Sequence, residues 1–235
     1  MKVEKNDLFD YGLKIYQADN LFKFSLDSIL LAEFVDVRKN CELIVDFCSG
    51  NGAVPLILST KYKSQIIGFE IQKMVYKLAY NSILLNGLSE QIKIINENLN
   101  DALEYILPES VDAITCNPPY FKVNEGSYLN EDEGKRIARH EVTTDIEQII
   151  IMSRYLLRNN ASLYLVHRPE RLTEIIILLN KYKFEVKKIQ FVYSSFDKKA
   201  IMILIKATKN GRSGVIINKP INITGRVTYK GIFKD

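Results

Sequence analysis

The sequence has few side chains suited to metal binding or redox chemistry. It contains three cysteines and two histidines. Cys41, Cys48 and Cys116 are an odd number, widely spaced, and form no C-x-x-C pair. We therefore expect reduced thiols in a cytoplasmic protein. With only His140 and His167 beside them, we expect no zinc site and no other metal site.

Long apolar runs and targeting segments are also missing. No apolar stretch approaches the roughly 18 residues that a membrane helix needs, and the N-terminus lacks the apolar core of a signal peptide. We find no repeat, linker or low-complexity segment. The 235 residues, with 47% hydrophobic and 26% charged side chains, suit one large globular α/β domain with no membrane partner. We expect a monomer.

Acidic residues are scarce at the C-terminal end. Residues 181–235 hold 13 Lys/Arg and 3 Asp/Glu, a balance of +10, whereas the other 180 residues hold 19 and 25, a balance of −6. A basic end on an acidic body favours a polyanionic partner such as a nucleic acid. A solvated lysine-rich surface is the alternative.

Short apolar runs alternate with helical patterns along the chain. The predicted strands are 42–47, 66–69, 92–95, 111–116, 161–166, 183–193 and 200–207. The last two are separated by a short connection and should form an antiparallel pair. The predicted helices are 53–62, 72–86, 145–158 and 169–182. This alternation predicts a doubly wound α/β sheet with an antiparallel end. Residues 1–20 show no clear period, and the last 28 residues could add edge strands.

A glycine-containing turn, D-F-C-S-G-N-G, joins the first of these strands to a helix. Gly50 and Gly52 allow the backbone to approach a ligand, and the helix N-terminus offers N–H groups. Pro55 occupies the third-glycine position of the dinucleotide fingerprint, so that fingerprint is not present. The Asp46 carboxylate would repel a pyrophosphate and favour a ligand with a cationic amino group, such as S-adenosylmethionine.

The next two strands also end in polar residues. Glu70 follows the second strand, where a carboxylate can bind both hydroxyls of a ribose. The alternative is a charge that stabilises the N-terminus of the following helix. The turn Glu97-Asn98-Leu99 follows the third strand and is a candidate for contacting an adenine ring.

The motif Asn117-Pro118-Pro119-Tyr120 follows the fourth strand. Neither proline can donate a backbone hydrogen bond, so the strand must stop there. The Asn117 side-chain oxygen and the Pro118 carbonyl can accept hydrogen bonds from an NH2 group, and Tyr120 can stack on a ring. The motif suits a flat molecule with an amino group. A proline-stiffened turn is the alternative.

Two stretches beside these motifs are candidates for covering a site. Ser25 or Asp27 can cap a helix that begins there, which we interpret as a lid helix. Residues 121–144 form a long polar insertion, which we interpret as a substrate lid. The insertion contains three side chains that could meet phosphates or be only solvated: Arg136, Arg139 and His140.

Together, residues 42–207 resemble the class I S-adenosylmethionine-dependent methyltransferases. D-F-C-S-G-N-G resembles their cofactor loop, Glu70 their ribose-binding acid, and N-P-P-Y the motif of the amino-group methyltransferases. Cys48 replaces the first glycine of the cofactor pattern, and Asn98 stands where an acidic residue is commoner. The resemblance implies a Rossmann-like α/β fold, with a seven-stranded, mostly parallel sheet and an antiparallel β-hairpin at its C-terminal end.

Two further stretches narrow the resemblance. Q-A-D-N-L-F-K-F-S-L-D-S-I-L-L-A and A-R-H-E resemble the bacterial enzymes that methylate N6 of an adenine in the anticodon loop of a valine tRNA, just 3′ of the anticodon. This implies S-adenosylmethionine as cofactor and tRNA as partner. It also implies a single methyltransferase domain, divided into an N-terminal lid or helical extension (1–40), a catalytic core (41–208) and a basic extension (209–235).

The resemblance also implies the site residues. The catalytic set is Asn117, Pro118, Pro119 and Tyr120. The cofactor-binding set is Ser25, Asp27, Asp46, Cys48, Gly50, Asn51, Gly52, Glu70, Ile71, Asn98, Leu99 and Asn117. The RNA-binding candidates are Arg136, Arg139, His140, Lys187, Lys188, Lys198, Lys199 and Arg212.

Three alternatives remain open from the sequence. A glutamine-amide methyltransferase acting on release factors also carries N-P-P-Y, but about 40 residues leave little space for the N-terminal helical domain of those enzymes. Guanine N2 of ribosomal RNA is a second possible target. A catalytically silent RNA-binding module is the third, and the retained Asp46, Gly50, Gly52, Glu70 and Asn117 argue against it.

Overall fold

The computed structural model describes residues 3–18, 26–38, 40–119, 145–225 and 228–233. The strands are β1 (Val3–Leu8), β2 (Leu13–Ala18), β3 (Leu43–Phe47), β4 (Gln65–Phe69), β5 (Ile92–Ile95), β6 (Val111–Cys116), β7 (Leu157–His167), β8 (Phe184–Tyr193), β9 (Ala200–Lys209), β10 (Ile216–Ile217) and β11 (Ile221–Asn222). The α-helices are α1 (Leu26–Phe34), α2 (Ala53–Lys61), α3 (Lys73–Leu85), α4 (Ile146–Leu156) and α5 (Leu172–Lys181). Short 3-10 helices cover Phe9–Tyr11, Leu99–Glu104 and Pro169–Arg171.

The main sheet has the strand order β5-β4-β3-β6-β7-β9-β8. Among these strands β9 runs antiparallel to both of its neighbours, and the other pairings are parallel. The predicted α/β fold, with a mostly parallel sheet and an antiparallel hairpin at the C-terminal end, is confirmed. The two-residue strands β10 and β11 extend it by pairing with β8.

Both faces of the sheet are covered by helices. On β3, Ile44 packs in the cluster that contains α1 and α2, whereas Val45 packs in the cluster that contains α4 and α5. Successive strand residues point to opposite faces, so a strand covered on both sides is apolar throughout. Burying each such side chain stabilises the fold by about 1.5–3 kcal/mol. This is why β3 to β6 are recognisable as continuous apolar runs.

The N-terminal hairpin differs from the sequence-based expectation. Residues 3–18 form an antiparallel pair, β1 and β2, so the expected helical extension is present only as α1. The hairpin is fixed to α3 by hydrogen bonds: the Tyr16 N–H donates to Ser82 Oγ at 2.9 Å, and the Lys14 N–H donates to Asn86 Oδ1 at 2.9 Å. Most of β1 is exposed or half-buried, which explains why no period was visible.

The C-terminal segment 228–233 returns to the N-terminal elements. The Gly231 N–H donates to Glu33 Oε2 on α1 at 2.9 Å, and Lys230 Nζ donates to the Asp10 carbonyl at 2.7 Å. Phe233 packs edge-on against Phe34, with ring centroids 5.5 Å apart. The two ends of the described chain therefore meet over α1. No helix in the described ranges is long and apolar enough to cross a membrane.

Candidate active site

The candidate site lies at the carboxyl ends of three adjacent parallel strands. Phe47 pairs with Phe69 on β4 and with Cys116 on β6. The residues that follow these three positions are Cys48, Glu70 and Asn117. Ligands of open α/β sheets bind at this edge, where neighbouring strands are followed by loops that diverge. The register thus brings the predicted cofactor loop, ribose acid and N-P-P motif together.

The glycine-containing loop turns sharply through left-handed backbone conformations. Cys48, Gly50 and Gly52 have φ values of 56°, 56° and 86°. A Cβ on Gly52 would lie 3.3 Å from the Ala79 Cβ of α3, so the loop packs closely on that helix. Cys48 adopts the conformation that favours glycine, at a cost of about 1–3 kcal/mol for a residue with a side chain. Cys48 therefore stands at a position whose backbone conformation suits the glycine of the broad pattern.

Asn51, predicted to bind the cofactor, is hydrogen-bonded to the N-terminal hairpin. Its side chain is buried, and Nδ2 donates to the Tyr16 carbonyl of β2 at 3.3 Å. This bond ties the loop to the N-terminal hairpin. The loop is therefore held between α3 on one side and β2 on the other.

Asp46 places a buried carboxylate beneath the loop. It is 1% exposed; Oδ1 accepts from Thr115 Oγ1 at 2.6 Å, and within the described part of the chain Oδ2 has no hydrogen-bond partner. Burial raises the pKa of this carboxyl to about 7, with a smaller contribution from the Glu70 charge and opposition from hydrogen bonds with Thr115 and Ser49. An unpartnered buried carboxylate oxygen is costly. It is suited to a primary ammonium group, as the amino acid end of S-adenosylmethionine would supply.

The geometry of Glu70 is compatible with both of its predicted roles. Its Oε2 accepts from the Gly50 N–H at 2.9 Å, and its Oε1 accepts from the Gln72 N–H, next to the start of α3, at 2.8 Å. Burial raises the pKa of Glu70, and these two hydrogen bonds oppose the rise. Each carboxylate oxygen has a second lone pair, so both can still accept from a ribose hydroxyl. Ile71 follows Glu70 and is partly exposed at the same edge.

The predicted adenine-contacting turn is preorganised by two asparagines. Asn98 caps the 3-10 helix that starts at Leu99, because its Oδ1 accepts from the Asn100 N–H at 3.0 Å. Asn96 Nδ2 donates to the Glu70 carbonyl at 2.7 Å and links this turn to the ribose acid. Sequence reasoning missed Asn96; the available signal was its position directly after β5, equivalent to that of Glu70 after β4.

Asn117 is oriented by α1. Its Nδ2 donates to Ser28 Oγ at 3.1 Å. The amide nitrogen therefore faces α1, and the amide oxygen points away from this helix. Pro118 is buried and Asp27 is half-buried in the first turn of α1. Ser28 was not predicted, although it lies beside Asp27 in the Q-A-D-N-L-F-K-F-S-L-D-S stretch. Five predicted residues lie outside the described part of the chain: Ser25, Tyr120, Arg136, Arg139 and His140.

The basic candidates differ in their surroundings. Lys187 Nζ donates to the carbonyls of Arg212 and Gly214 at 3.0 and 2.6 Å. Lys188 forms an ion pair with Asp36. Both ammonium groups thus have partners within the chain, and their assignment to RNA binding stays a prediction.

The three remaining basic candidates are exposed, but they lie at opposite ends of the strands: Lys198 and Lys199 at one end and Arg212 at the other. Lys198 and Lys199 lie in the turn after β8, which runs parallel to β3 and β6, so this turn is at the edge that carries Asn117. Arg212 follows β9, which runs in the opposite direction, and lies near the other edge. All three cysteines are free thiols.

Comparison with known proteins identifies the family. The model of the methyltransferase small domain family matches residues 23–189. A curated relative, the tRNA1(Val) (adenine(37)-N6)-methyltransferase of Flavobacterium psychrophilum, is 22% identical over 208 residues and is matched over 86% of this chain and 87% of its own length.

Solved structures agree at the level of the fold. A protein described as a predicted O-methyltransferase from Agrobacterium tumefaciens superposes with a TM-score of 0.68 at 19% identity, covering 89% of this chain and 94% of its own. TYW2 of P. horikoshii, solved in complex with MeSAdo, gives a TM-score of 0.62 at 15% identity, covering 89% and 72%.

Proposed function

The chain belongs to the methyltransferase small domain family and uses S-adenosylmethionine, and on that premise we propose that it methylates the exocyclic N6 of an adenine in the anticodon loop of a valine tRNA, on the 3′ side of the anticodon. The observation that carries this proposal is the oriented Asn117-Pro118 exit from β6 beside Asp46 and Glu70. The name and coverage of the Flavobacterium relative support the choice of tRNA.

The cofactor would be held by side chains and backbone already placed around the loop. The Asp46 carboxylate suits the ammonium group, the Glu70 oxygens suit the ribose hydroxyls, and the Asn98-Leu99 turn suits the adenine ring. When bound, S-adenosylmethionine supplies an electrophilic methyl group on a sulfonium. Its amino acid, ribose and base would thus each meet a separate part of the strand edge.

The residues that hold the methyl-accepting base must make a poor nucleophile react. The lone pair of an adenine amino group is delocalised into the ring. The Asn117 side-chain oxygen and the Pro118 carbonyl would accept hydrogen bonds from the two amino hydrogens and favour a pyramidal nitrogen with a directed lone pair. Alignment and electrostatic stabilisation would then supply most of the rate. No strong base is required, because the methylated amine is acidic enough to lose its proton afterwards.

Ser28 is a candidate for positioning the Asn117 amide. Only the amide oxygen can accept from an NH2 group, and the bond from Nδ2 to Ser28 Oγ places the nitrogen end at α1. A flipped amide would direct N–H donors toward amino hydrogens, which cannot accept them. A neutral hydrogen bond of this kind contributes about 0.5–1.5 kcal/mol.

The turn after β8 supports an RNA substrate. Phe196 is 60% exposed, and its ring packs edge-on against Tyr193 with centroids 5.8 Å apart. Lys198 and Lys199 are exposed in the same turn. Bases of single-stranded loops stack on aromatic rings, and lysines bind the flanking phosphates. This combination favours a nucleic acid loop over a glutamine side chain of a protein.

Labelled methyl transfer followed by nucleoside and amino acid analysis tests the proposal. The purified chain is incubated with S-adenosylmethionine and, separately, with valine tRNA, the same tRNA carrying guanine in place of the target adenine, ribosomal RNA, and a release factor. We expect N6-methyladenosine from unaltered valine tRNA alone. Methylated guanine or methylated glutamine as the main product would instead select one of the alternative substrates.

A further inference from the structure

Gln17 carries a buried amide that the site described above does not use. It is the fifth of six residues in β2 and is 4% exposed. Its Oε1 accepts from Asn6 Nδ2 at 2.7 Å, whereas its Nε2 has no hydrogen-bond partner among the residues that the structure describes. The bond from Asn6 fixes the oxygen end of the amide. A buried N–H donor without an acceptor is unfavourable, so this position is suited to a ligand that brings one.

The place of Gln17 in the fold points to the cofactor. The neighbouring Tyr16 carbonyl accepts from Asn51 in the glycine-containing loop at 3.3 Å. Gln17 lies on the same face of β2 as Ile15, which packs in the core cluster with Leu30 of α1 and Ala53 at the start of α2. The amide is therefore buried within the hairpin, one residue from the contact that ties the hairpin to the glycine-containing loop.

The amino acid end of S-adenosylmethionine has one cationic and one anionic group. Asp46 Oδ2, a buried acceptor without a partner, suits the ammonium. The carboxylate requires donors, and a helix N-terminus such as that of α2 favours a negative charge. We propose that Gln17 Nε2 donates a hydrogen bond to the α-carboxylate of S-adenosylmethionine, so that the N-terminal hairpin contributes a cofactor-binding residue.

Calorimetric titration with two ligands tests this contact without any RNA, so its result is independent of the proposed tRNA substrate. S-adenosylmethionine carries the carboxylate, and decarboxylated S-adenosylmethionine lacks only that group. Gln17→Leu keeps the size of the side chain and removes the donor. We expect it to weaken S-adenosylmethionine binding by about 10- to 100-fold, the usual range for a lost hydrogen bond to a charged group. Affinity for the decarboxylated ligand should change less than about twofold.

Two further variants serve as controls. Gln91→Leu is the matched control, because Gln91 Nε2 donates to the Tyr62 and Ser64 carbonyls just after the C-terminal end of α2, whereas the loop precedes its N-terminal end. This variant should leave both affinities unchanged. Gln17→Glu keeps the shape and acceptor but presents a second carboxylate, and it should weaken S-adenosylmethionine more than the decarboxylated ligand. Equal losses for both ligands in the Gln17 variants, or no loss for either, would overturn the proposal.

Discussion

The protonation state of Asp46 should control cofactor affinity. Burial raises the pKa of this carboxyl to about 7 from an ordinary value of 3.8. The groups that face it are the hydroxyls of Thr115 and Ser49 and the charge of Glu70. An ammonium group binds the ionised carboxylate and gains little from the neutral acid. Cofactor affinity should therefore rise with pH up to about pH 7 and then level off.

The magnitude follows from the fraction of Asp46 that is ionised. With a pKa of about 7, the Asp46 carboxyl is ionised in half of the molecules at pH 7 and in about one-eleventh of them at pH 6. If the ionised form binds, the dissociation constant at pH 6 should be roughly tenfold above its high-pH limit, because one pH unit corresponds to about 1.4 kcal/mol. If the Asp46 carboxyl kept its ordinary pKa of 3.8, it would be almost fully ionised between pH 6 and pH 7, and the cofactor affinity would not change with pH.

Calorimetric titration with S-adenosylhomocysteine from pH 5.5 to 7.5 measures this profile. The range stays below the pKa of roughly 8 of an α-amino group, so the ligand keeps its ammonium charge. Asp46→Asn should bind weakly with little pH dependence. Methylthioadenosine, which lacks the amino acid, should bind wild type equally at all pH values. A flat wild-type profile, or a slope that persists with methylthioadenosine, would refute the assignment of Asp46 to the ammonium.

Four further variants test the other parts of the site and the basic turn after β8. Glu70→Ala should weaken S-adenosylhomocysteine binding by roughly 1–3 kcal/mol and also lower thermal stability, since the partly buried N–H groups of Gly50 and Gln72 lose their acceptor; unchanged affinity by calorimetry would remove Glu70 from the site. Asn117→Ala should abolish most turnover while cofactor affinity stays within about twofold. Ser28→Ala should lower kcat by about 2- to 10-fold, with Ser28→Thr restoring it and Ser59→Ala as the control; equal kcat in Ser28→Ala would contradict its orienting role. Replacing Lys198 and Lys199 with alanine should weaken tRNA binding and reduce its salt dependence by a slope of roughly one per lost phosphate contact; equal affinity and slope across a salt series would show that this pair is a solvated surface.

The strand edge could be predicted from sequence because its signals are local. β3 is a mostly apolar run that contains Asp46 near its end and is followed by a glycine-containing turn, and β6 is a mostly apolar run followed by Asn117 and two prolines. Burial on both faces makes such parallel strands continuous in sequence. The hairpin could not be predicted in the same way. β1 buries little beyond Leu8, and β2 depends on Ser82 and Asn86, which are distant in sequence.

The surroundings of the basic candidates could not be predicted from sequence either, and their assignment to RNA binding stays a prediction. Charge counts do not reveal internal partners, and Lys187 and Lys188 are engaged by backbone carbonyls and by Asp36. The direction of β9 then separates Arg212 from the edge that carries Lys198 and Lys199. These distinctions require knowledge of strand direction and of contacts between distant residues, which composition does not contain.

The N-terminal elements connect the two halves of the candidate site. The core strands carry Asp46 and lead into Asn117, whereas the Asn117 amide nitrogen donates to Ser28 in α1. The glycine-containing loop is likewise tied to β2 through Asn51. The C-terminal segment fixes α1 in turn, through Gly231 and Glu33. Because side-chain orientation determines whether an amide accepts or donates, elements outside the strand-and-loop motifs are needed to give those motifs their chemistry.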